Sequence, residues 1–327
     1  MPGVTAIIPT WNRRELLENL LASLARQTHA ASEILVIDNG SSDGSAESAR
    51  CAGARVIAMG ENAGFSRAVN RGIRECRTEW LAVINNDVEL DADWLARLLD
   101  GAEQSKAWFA TGKLYRAGSK DMIDGAWDAL SRGACAWRCG AGRPDGPVWS
   151  RARRIRFAPF TAALFRRELF ARVGDLEEEF DSYLEDVEFG LRCARAGLWG
   201  AYVPEAIAWH RGSATLGVWH PETVRRLARN QLLLVAKHYP RGWAWRYGWA
   251  VLAGQLLWWM MSVRHGTGMA CLRGKWEALR RFRRRTAPAA SAEVALDEIL
   301  QASEEEIRQL QSQTGVDWYW KLYFALT

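Results

Sequence analysis

The chain has 327 residues, 49% of them hydrophobic and 25% charged, which excludes disordered, collagen-like and low-complexity proteins and allows one large domain or two ordinary ones. Its 43 basic and 38 acidic residues give a net charge of +5. Six cysteines are scattered along the chain, only Cys135 and Cys139 lie close together, and no signal segment precedes the first strand pattern, so we expect reduced thiols, no zinc site and a cytoplasmic protein.

Short apolar runs alternate with helical patterns over the first ninety residues. The runs cover residues 4–9, 34–38, 55–59 and 80–85. Between the first two, five leucines recur at helical spacing over residues 16–24, and Asn12 is placed to cap that helix. Strands that alternate with helices predict an α/β fold with a mostly parallel sheet flanked by helices.

Polar residues follow each of these runs, where a parallel sheet binds its ligands. They lie at residues 10–12, 38–43, 61–64 and 85–87. No glycine-rich fingerprint follows the first strand, which disfavours NAD and Walker-type phosphate binding. A nucleotide could instead be held by side chains, with Asp38 accepting from the base or ribose and Asn62 or Arg67 completing the pocket. For Asp43 an ordinary turn is the better interpretation.

Two carboxylate positions and one histidine are candidates for chemistry. Asp87 follows a buried run and suits Mg²⁺ or Mn²⁺, although it could simply enter a helix that continues through residues 88–99. Acids within residues 180–188 begin a helix that stops at Gly197; they could stabilise its dipole, or one could act as a general base. His210, in a predicted loop, is by itself more often structural.

Several stretches together resemble the family 2 inverting glycosyltransferases, which have the GT-A fold. The matching stretches are residues 8–12, 36–44, 62–65, 85–87, 184–186 and 209–210. They span about residues 4 to 215. The resemblance implies a Rossmann-like GT-A sheet and sugar transfer from a nucleotide diphosphate sugar.

The resemblance also implies roles for individual residues. Pro9, Thr10 and Asp38 would hold the nucleotide, Asp87 and His210 would hold Mg²⁺ or Mn²⁺ on the diphosphate, and Asp186 would be the base. We further assign Asn12, Asn62, Arg67, Asn85 and Asn86 to the nucleotide side, and Glu185 and Trp209 to the acceptor side. The family more often has Asp at the position of Asn85. Asn at this position resembles the branch that includes rhamnosyltransferases of bacterial surface polysaccharide assembly, and this resemblance implies a donor such as dTDP-rhamnose.

The carboxyl-terminal region has long helical patterns and many tryptophans, so we divide the chain into a catalytic domain, 1–218, and a helical region, 219–327. An uncharged run of 17 residues between Arg246 and Arg264 is short for a membrane span, and its apolar positions predict an interfacial helix. These positions are Trp249, Leu252, Leu256, Trp259, Met260 and Val263. The basic run 280–285 would meet anionic lipid; nucleic acid is a weaker partner.

These observations predict a metal-dependent inverting glycosyltransferase that uses a glycan or lipid-linked acceptor, peripheral at the inner membrane face. The carboxyl-terminal helices could instead pack on protein, and residues 293–311 could dock or self-associate into a homo-oligomer. Two other functions stay open: a nucleotidyltransferase, which should have a glycine-rich triphosphate loop, and a catalytically silent scaffold.

Overall fold

The computed structural model describes residues 2–119, 121–212, 217, 219–281 and 293–327. The chain divides into two compact units. The first comprises Met1–Trp127, Gly140–Cys193 and Leu198–Gly212, and the second comprises Asp128–Cys139, Ala194–Gly197 and Ser213–Thr327. Of the predicted basic run, Arg283, Arg284 and Arg285 lie outside the described residues.

The regular elements alternate through the first unit and are mostly helical in the second. The strands are β1 (Val4–Thr10), β2 (Glu33–Asp38), β3 (Arg55–Ala58), β4 (Trp80–Ile84), β5 (Val88–Leu90), β6 (Phe109–Arg116), β7 (Ile123–Gly125), β8 (Asp128–Leu130), β9 (Ala136–Arg138), β10 (Arg153–Ile155), β11 (Ala162–Arg166) and β12 (Gly200–His210). The helices are α1 (Arg14–Ala25), α2 (Ser45–Cys51), α3 (Phe65–Glu75), α4 (Trp94–Gln104), α5 (Arg167–Val173), α6 (Glu185–Arg195), α7 (Pro221–His238), α8 (Trp243–Arg264), α9 (Gly268–Arg281), α10 (Leu296–Thr314) and α11 (Trp318–Leu326).

One sheet organises the first unit, in the order β10-β12-β6-β11-β4-β1-β2-β3, with β5 and β7 paired to β12 and β6. The four predicted runs form β1 to β4, which are mutually parallel, whereas β11 is antiparallel to both of its neighbours. Every residue of β1 and β4 is buried, as expected of central strands covered by helices on both faces. The predicted α/β fold, with its mostly parallel sheet and helical extension, is confirmed.

Three local predictions were wrong. Asn12 does not cap α1, because the backbone N–H of Arg14 donates to Oδ2 of Asp43 at 2.9 Å, while Oδ1 of Asn12 accepts from Ser42. Residues 88–90 form β5 rather than the start of a helix, since they pair with β12. That pairing also makes His210 the last residue of a strand rather than part of a loop.

The second unit is built from the β8–β9 hairpin and helices α7 to α11. The hairpin is bound to α10, where Oγ of Ser303 accepts from the N–H of Leu130 at 2.7 Å. Glu304 pairs with Arg132 at 2.6 Å and accepts from the Tyr323 hydroxyl at 2.6 Å. Across the described ranges, none of the helices combines the length and the apolar character that a bilayer span requires.

Candidate active site

The carboxyl ends of β1, β2 and β4 carry the predicted nucleotide residues. Parallel pairing places Thr10 beside Asp38, and Nδ2 of Asn86 donates to Oγ1 of Thr10 at 2.8 Å. Asp38 is only 6% exposed, and its Oδ1 accepts from the N–H of Ser41 at 3.0 Å. The structure therefore brings three separate sequence segments together at one edge of the sheet.

Asn39 organises the loop after β3 and was not singled out from the sequence. Its Nδ2 donates to Oδ1 of Asn62 at 3.0 Å, and its Oδ1 accepts from the N–H of Ala63 at 2.9 Å. Gly64 follows with φ of +93°, a backbone conformation that side chains rarely adopt. The amide of Asn39 thus fixes the position of Asn62 relative to the end of β2.

His210 lies between two carboxylates, one predicted and one not. Pairing of β12 with β5 sets His210 opposite Val88, so Asp87 lies beside it, with Oδ1 3.2 Å from Nε2. On the other side, Oδ2 of Asp124 lies 2.7 Å from Nδ1. The three side chains come from β12, from the turn before β5 and from β7, and each is largely buried.

The two carboxylates favour positive charge at this imidazole. Burial acts to lower the pKa of His210, but hydrogen bonds with Asp124 and Asp87 outweigh it and raise that pKa to about 9. The same environment suits a divalent cation at Nε2, with Asp124 orienting the ring from behind as an outer partner. Two ligands at right angles about a cation, each at about 2.1 Å, lie about 3 Å apart, which matches the 3.2 Å separation here.

Asp87 and His210 are two side chains that could bind a divalent cation at Nε2 of His210. Within the part of the chain that is described, no group of three or more His, Cys, Asp or Glu side chains could enclose a metal ion. Mg²⁺ and related hard cations are commonly held by one or two carboxylates together with substrate phosphates rather than by an all-protein cage. Asp87 and His210 fit that kind of site.

The first turn of α6 carries the predicted base. Asp186 is buried, and its Oδ1 accepts from the N–H of Val187 at 2.8 Å. Glu188, two residues further along the same first turn, is engaged by Arg192 at 2.9 Å, and the same guanidinium donates to the carbonyl of Asp175 at 2.8 Å. Glu188 therefore anchors α6, whereas Asp186 remains the candidate for the general base.

The segment before α6 contacts the loop after β3. The backbone N–H and hydroxyl of Ser66 both donate to the carbonyl of Asp181, at 3.0 and 2.8 Å. A Cβ atom built on Gly64 would lie 1.9 Å from Oδ1 of Asp181. This close approach links the Asn62 loop to the helix that carries Asp186.

Other predicted residues have different surroundings, and their roles stay predictions. Arg67 donates to Glu178 at 3.2 Å, so its guanidinium already has an acidic partner. Asn85 donates its N–H to the carbonyl of Thr161 at 2.8 Å. The remaining three lie within elements: Pro9 is buried in β1, Glu185 is buried in α6, and Trp209 is partly buried in β12.

The sequence matches a known family model and named relatives. The model of glycosyl transferase family 2 matches residues 5–174. An N-acetylglucosaminyl-diphospho-decaprenol L-rhamnosyltransferase from Mycobacterium tuberculosis is 30% identical over 242 residues, covering 65% of this chain and 79% of the relative. The uncharacterized glycosyltransferase EpsJ from Bacillus subtilis is 29% identical over 202 residues, covering 60% of this chain and 57% of that protein.

Solved structures match the fold at low sequence identity. GalNAc-T7, solved with UDP, GalNAc and Mn²⁺, aligns with a TM-score of 0.65 and 15% identity, over 97% of this chain and 58% of that one. A mannosyltransferase from Pyrobaculum calidifontis, solved with GDP-Man and Mn²⁺, aligns with a TM-score of 0.53 and 16% identity, over 99% of this chain and 86% of that one. These neighbours have the GT-A fold, as the sequence predicted.

Proposed function

Because the chain belongs to glycosyltransferase family 2, we propose that it is a metal-dependent inverting enzyme that moves a sugar from a nucleotide diphosphate to a glycan or lipid-linked saccharide. The observation that carries the metal dependence is the contact of His210 with Asp87 at 3.2 Å, at the edge of the sheet where the nucleotide residues meet. Membership of glycosyltransferase family 2 supports a glycosyltransferase over a nucleotidyltransferase or a silent scaffold.

On the donor side, one group of side chains at the edge of the sheet would bind the nucleoside, and a second group would bind the cation on the diphosphate. Asp38 and the Thr10–Asn86 pair would hold the nucleoside, because their polar atoms meet at the ends of adjacent strands. His210 and Asp87 would hold Mg²⁺ or Mn²⁺, and Asp124 would keep the imidazole oriented. Such a cation, when bound, supplies positive charge against the charge that develops on the leaving diphosphate.

On the acceptor side, Asp186 would accept the proton of the attacking hydroxyl. Its position in the first turn of α6 favours the ionised carboxylate, since the helix N-terminus carries partial positive charge. Attack from the face opposite the leaving diphosphate inverts the configuration at the sugar carbon. Glu188 is not suited to the role because Arg192 holds it.

A dTDP-rhamnose type of donor and a lipid-linked acceptor are the specific choices we propose. The name of the Mycobacterium tuberculosis relative specifies an L-rhamnosyl donor group and a diphospho-decaprenol acceptor. Asn85, at the first place of the triplet, is in keeping with that branch of the family. We assign catalysis to residues 1–218 and contact with the membrane or another protein to residues 219–327, which would place the enzyme at the inner membrane face.

Donor turnover tests the proposal. The purified chain should release dTDP from dTDP-rhamnose in the presence of membrane lipid extract, lose that activity with chelator, and regain it with Mn²⁺. A panel of labelled nucleotide sugars identifies the donor. Full turnover in the presence of chelator would contradict metal dependence, and absence of turnover with every donor would contradict the transfer itself.

A further inference from the structure

Exposed apolar side chains are concentrated on three helices of the second unit. Among the residues that the structure describes, fifteen large hydrophobic side chains are exposed, and all except Trp11 lie between Trp245 and Leu326. Soluble surfaces rarely gather so many apolar side chains in one region unless they contact a partner or a lipid surface. Their spacing along each helix shows whether they form a face.

Each of the three helices exposes one apolar stripe. On α8 the exposed positions follow one another every three or four residues, as a single helical face requires. They are Trp245, Trp249, Leu252, Leu256, Met260 and Val263. The prediction that Trp259 shares this face was wrong, because Trp259 is partly buried and packs against the cluster of Val224, Ala228 and Cys271. The corresponding positions are Met269, Leu272, Trp276 and Leu279 on α9, and Trp318, Leu322 and Leu326 on α11. Trp245 is 97% exposed and Met269 is 78% exposed, so the described parts of the chain leave these side chains largely uncovered.

Contacts join the three stripes through α8. Nε1 of Trp249 donates to the carbonyl of Leu326 at 2.6 Å, which connects the α8 stripe with the end of α11. At the other end of α8, Val263 lies against Gly268, so closely that a Cβ on the glycine would be 2.5 Å from its side chain. Gly268 begins α9 immediately before Met269. These contacts connect the α8 stripe with the end of α11 and with the start of α9, and we call the three stripes together the tryptophan face.

Positive charge borders the tryptophan face. In the sequence, residues 241–285 contain ten Lys or Arg and a single acid, Glu277; seven of the ten lie among the described residues. Arg246 and Arg264 are exposed at the two ends of the α8 stripe, where Arg246 is paired with Asp297, and the guanidinium of Arg280 lies 5.0 Å from the ring centroid of Trp276 on α9. Tryptophan and arginine around an apolar helical face are the composition of proteins that lie in the headgroup region of a bilayer.

We propose that the tryptophan face docks on the surface of a membrane that contains anionic lipid. A second copy of this chain suits the face less well, because a two-fold interface places the same patch against itself and would bring one arginine border against the other. Anionic headgroups complement that border, each arginine adding to the attraction within a Debye length. The inference depends on this surface alone and does not require the transfer chemistry.

Sedimentation of the full chain with lipid vesicles tests the proposal. We expect the chain to sediment with vesicles of phosphatidylcholine and phosphatidylglycerol, and much less with phosphatidylcholine alone. Raising the salt from about 0.1 M to about 1 M shortens the Debye length from about 10 to about 3 Å and should weaken binding. Leu252→Glu with Leu256→Glu should reduce binding at least about tenfold, because two apolar anchors become charged.

A matched variant separates charge from location. Ser312→Glu with Gln313→Glu adds the same two negative charges at exposed positions of α10, a helix that carries none of the three apolar stripes, and should bind vesicles like the parent. If the leucine variant fails to fold by circular dichroism, Trp245→Ser, at a nearly fully exposed position, replaces it. Equal binding by the leucine variant and the parent would overturn the proposal.

Two further outcomes are distinguishable. A chain that ignores both kinds of vesicle but forms a dimer that Leu252→Glu with Leu256→Glu dissociates, measured by light scattering, would assign the face to a second copy and overturn the proposal. A chain that binds anionic vesicles but transfers no sugar to any acceptor would uphold the docking face and contradict the proposed function instead.

Discussion

Replacing Asp124, which sequence reasoning did not find, should weaken metal binding although this residue is not a proposed ligand. Asp124→Asn keeps the shape of the side chain and an oxygen that can accept from Nδ1 of His210, but it removes the negative charge. Asp124→Ala removes both. We expect the Mn²⁺ affinity measured in the presence of dTDP to fall for both variants, and to fall further for the alanine.

The magnitude follows from the contact itself. The 2.7 Å separation of Nδ1 and Oδ2 is that of a charge-assisted hydrogen bond, and such bonds contribute about 1.5 to 3 kcal/mol. Since about 1.4 kcal/mol corresponds to a tenfold change, the loss should be about tenfold for Asp124→Asn and approach about a hundredfold for Asp124→Ala. Outer partners of metal-bound histidines have effects of this size, about 10- to 100-fold.

Isothermal titration with Mn²⁺, with dTDP already bound, measures this affinity without relying on turnover. Asp121→Asn is the matched control, because Asp121 is exposed three residues earlier, where it accepts from the Ser119 hydroxyl at 3.1 Å. It should titrate like the parent. If both Asp124 variants fold and bind Mn²⁺ with the parent's affinity, His210 is not held for a cation in the way we infer.

Three other substitutions test separate parts of the site. Asp186→Asn should lower kcat by about 10² to 10⁴ with unchanged dTDP affinity, because the general base is lost; turnover near that of the parent would reject Asp186 as base. Gly64→Ala should destabilise the fold by about 1 to 3 kcal/mol and weaken donor binding, since φ is +93° and the new Cβ would overlap Asp181; thermal unfolding and KM measure this, and an unchanged Tm would contradict it. Asp43→Ala should cost about 0.5 to 2 kcal/mol by removing the acceptor at the start of α1, while transferase activity persists; a stability equal to the parent's in chemical denaturation would refute the capping role.

The part of the fold that could be predicted is the part determined locally. β1 and β4 are continuous apolar runs, buried along their whole length, and each is followed by polar residues. Because the strands are parallel, knowing where each one ends was enough to predict that the polar residues after them would lie at one edge of the sheet, where the structure shows Asn86 donating to Thr10. Chain order and strand direction therefore predicted this half of the site without any knowledge of side-chain contacts.

The other half depends on pairing between distant strands. β12 contains Pro204 and Glu205, and its pairing with β6 shifts register between Tyr202 and Ile207, so the sequence pattern breaks before His210 and indicates a loop. β5 has only three residues, too few for a helical and a strand period to be distinguished. Asp124 lies in another three-residue strand, where no local pattern marks it.

Residues with strained backbone lie on both sides of the site, and neighbouring side chains hold them. Seven residues other than glycine have positive φ in the described ranges, and five of them follow β1 or precede α6. They are Asn12, Arg13, Asp181, Tyr183 and Leu184. Each such residue costs about 1 to 2 kcal/mol, so it persists only where its surroundings hold it. Asn12 is held by the N–H of Ser42, and Asp181 by Ser66, so the contacts that stabilise the strained turns also position the edge of the sheet that we propose for the nucleotide and the helix that carries Asp186.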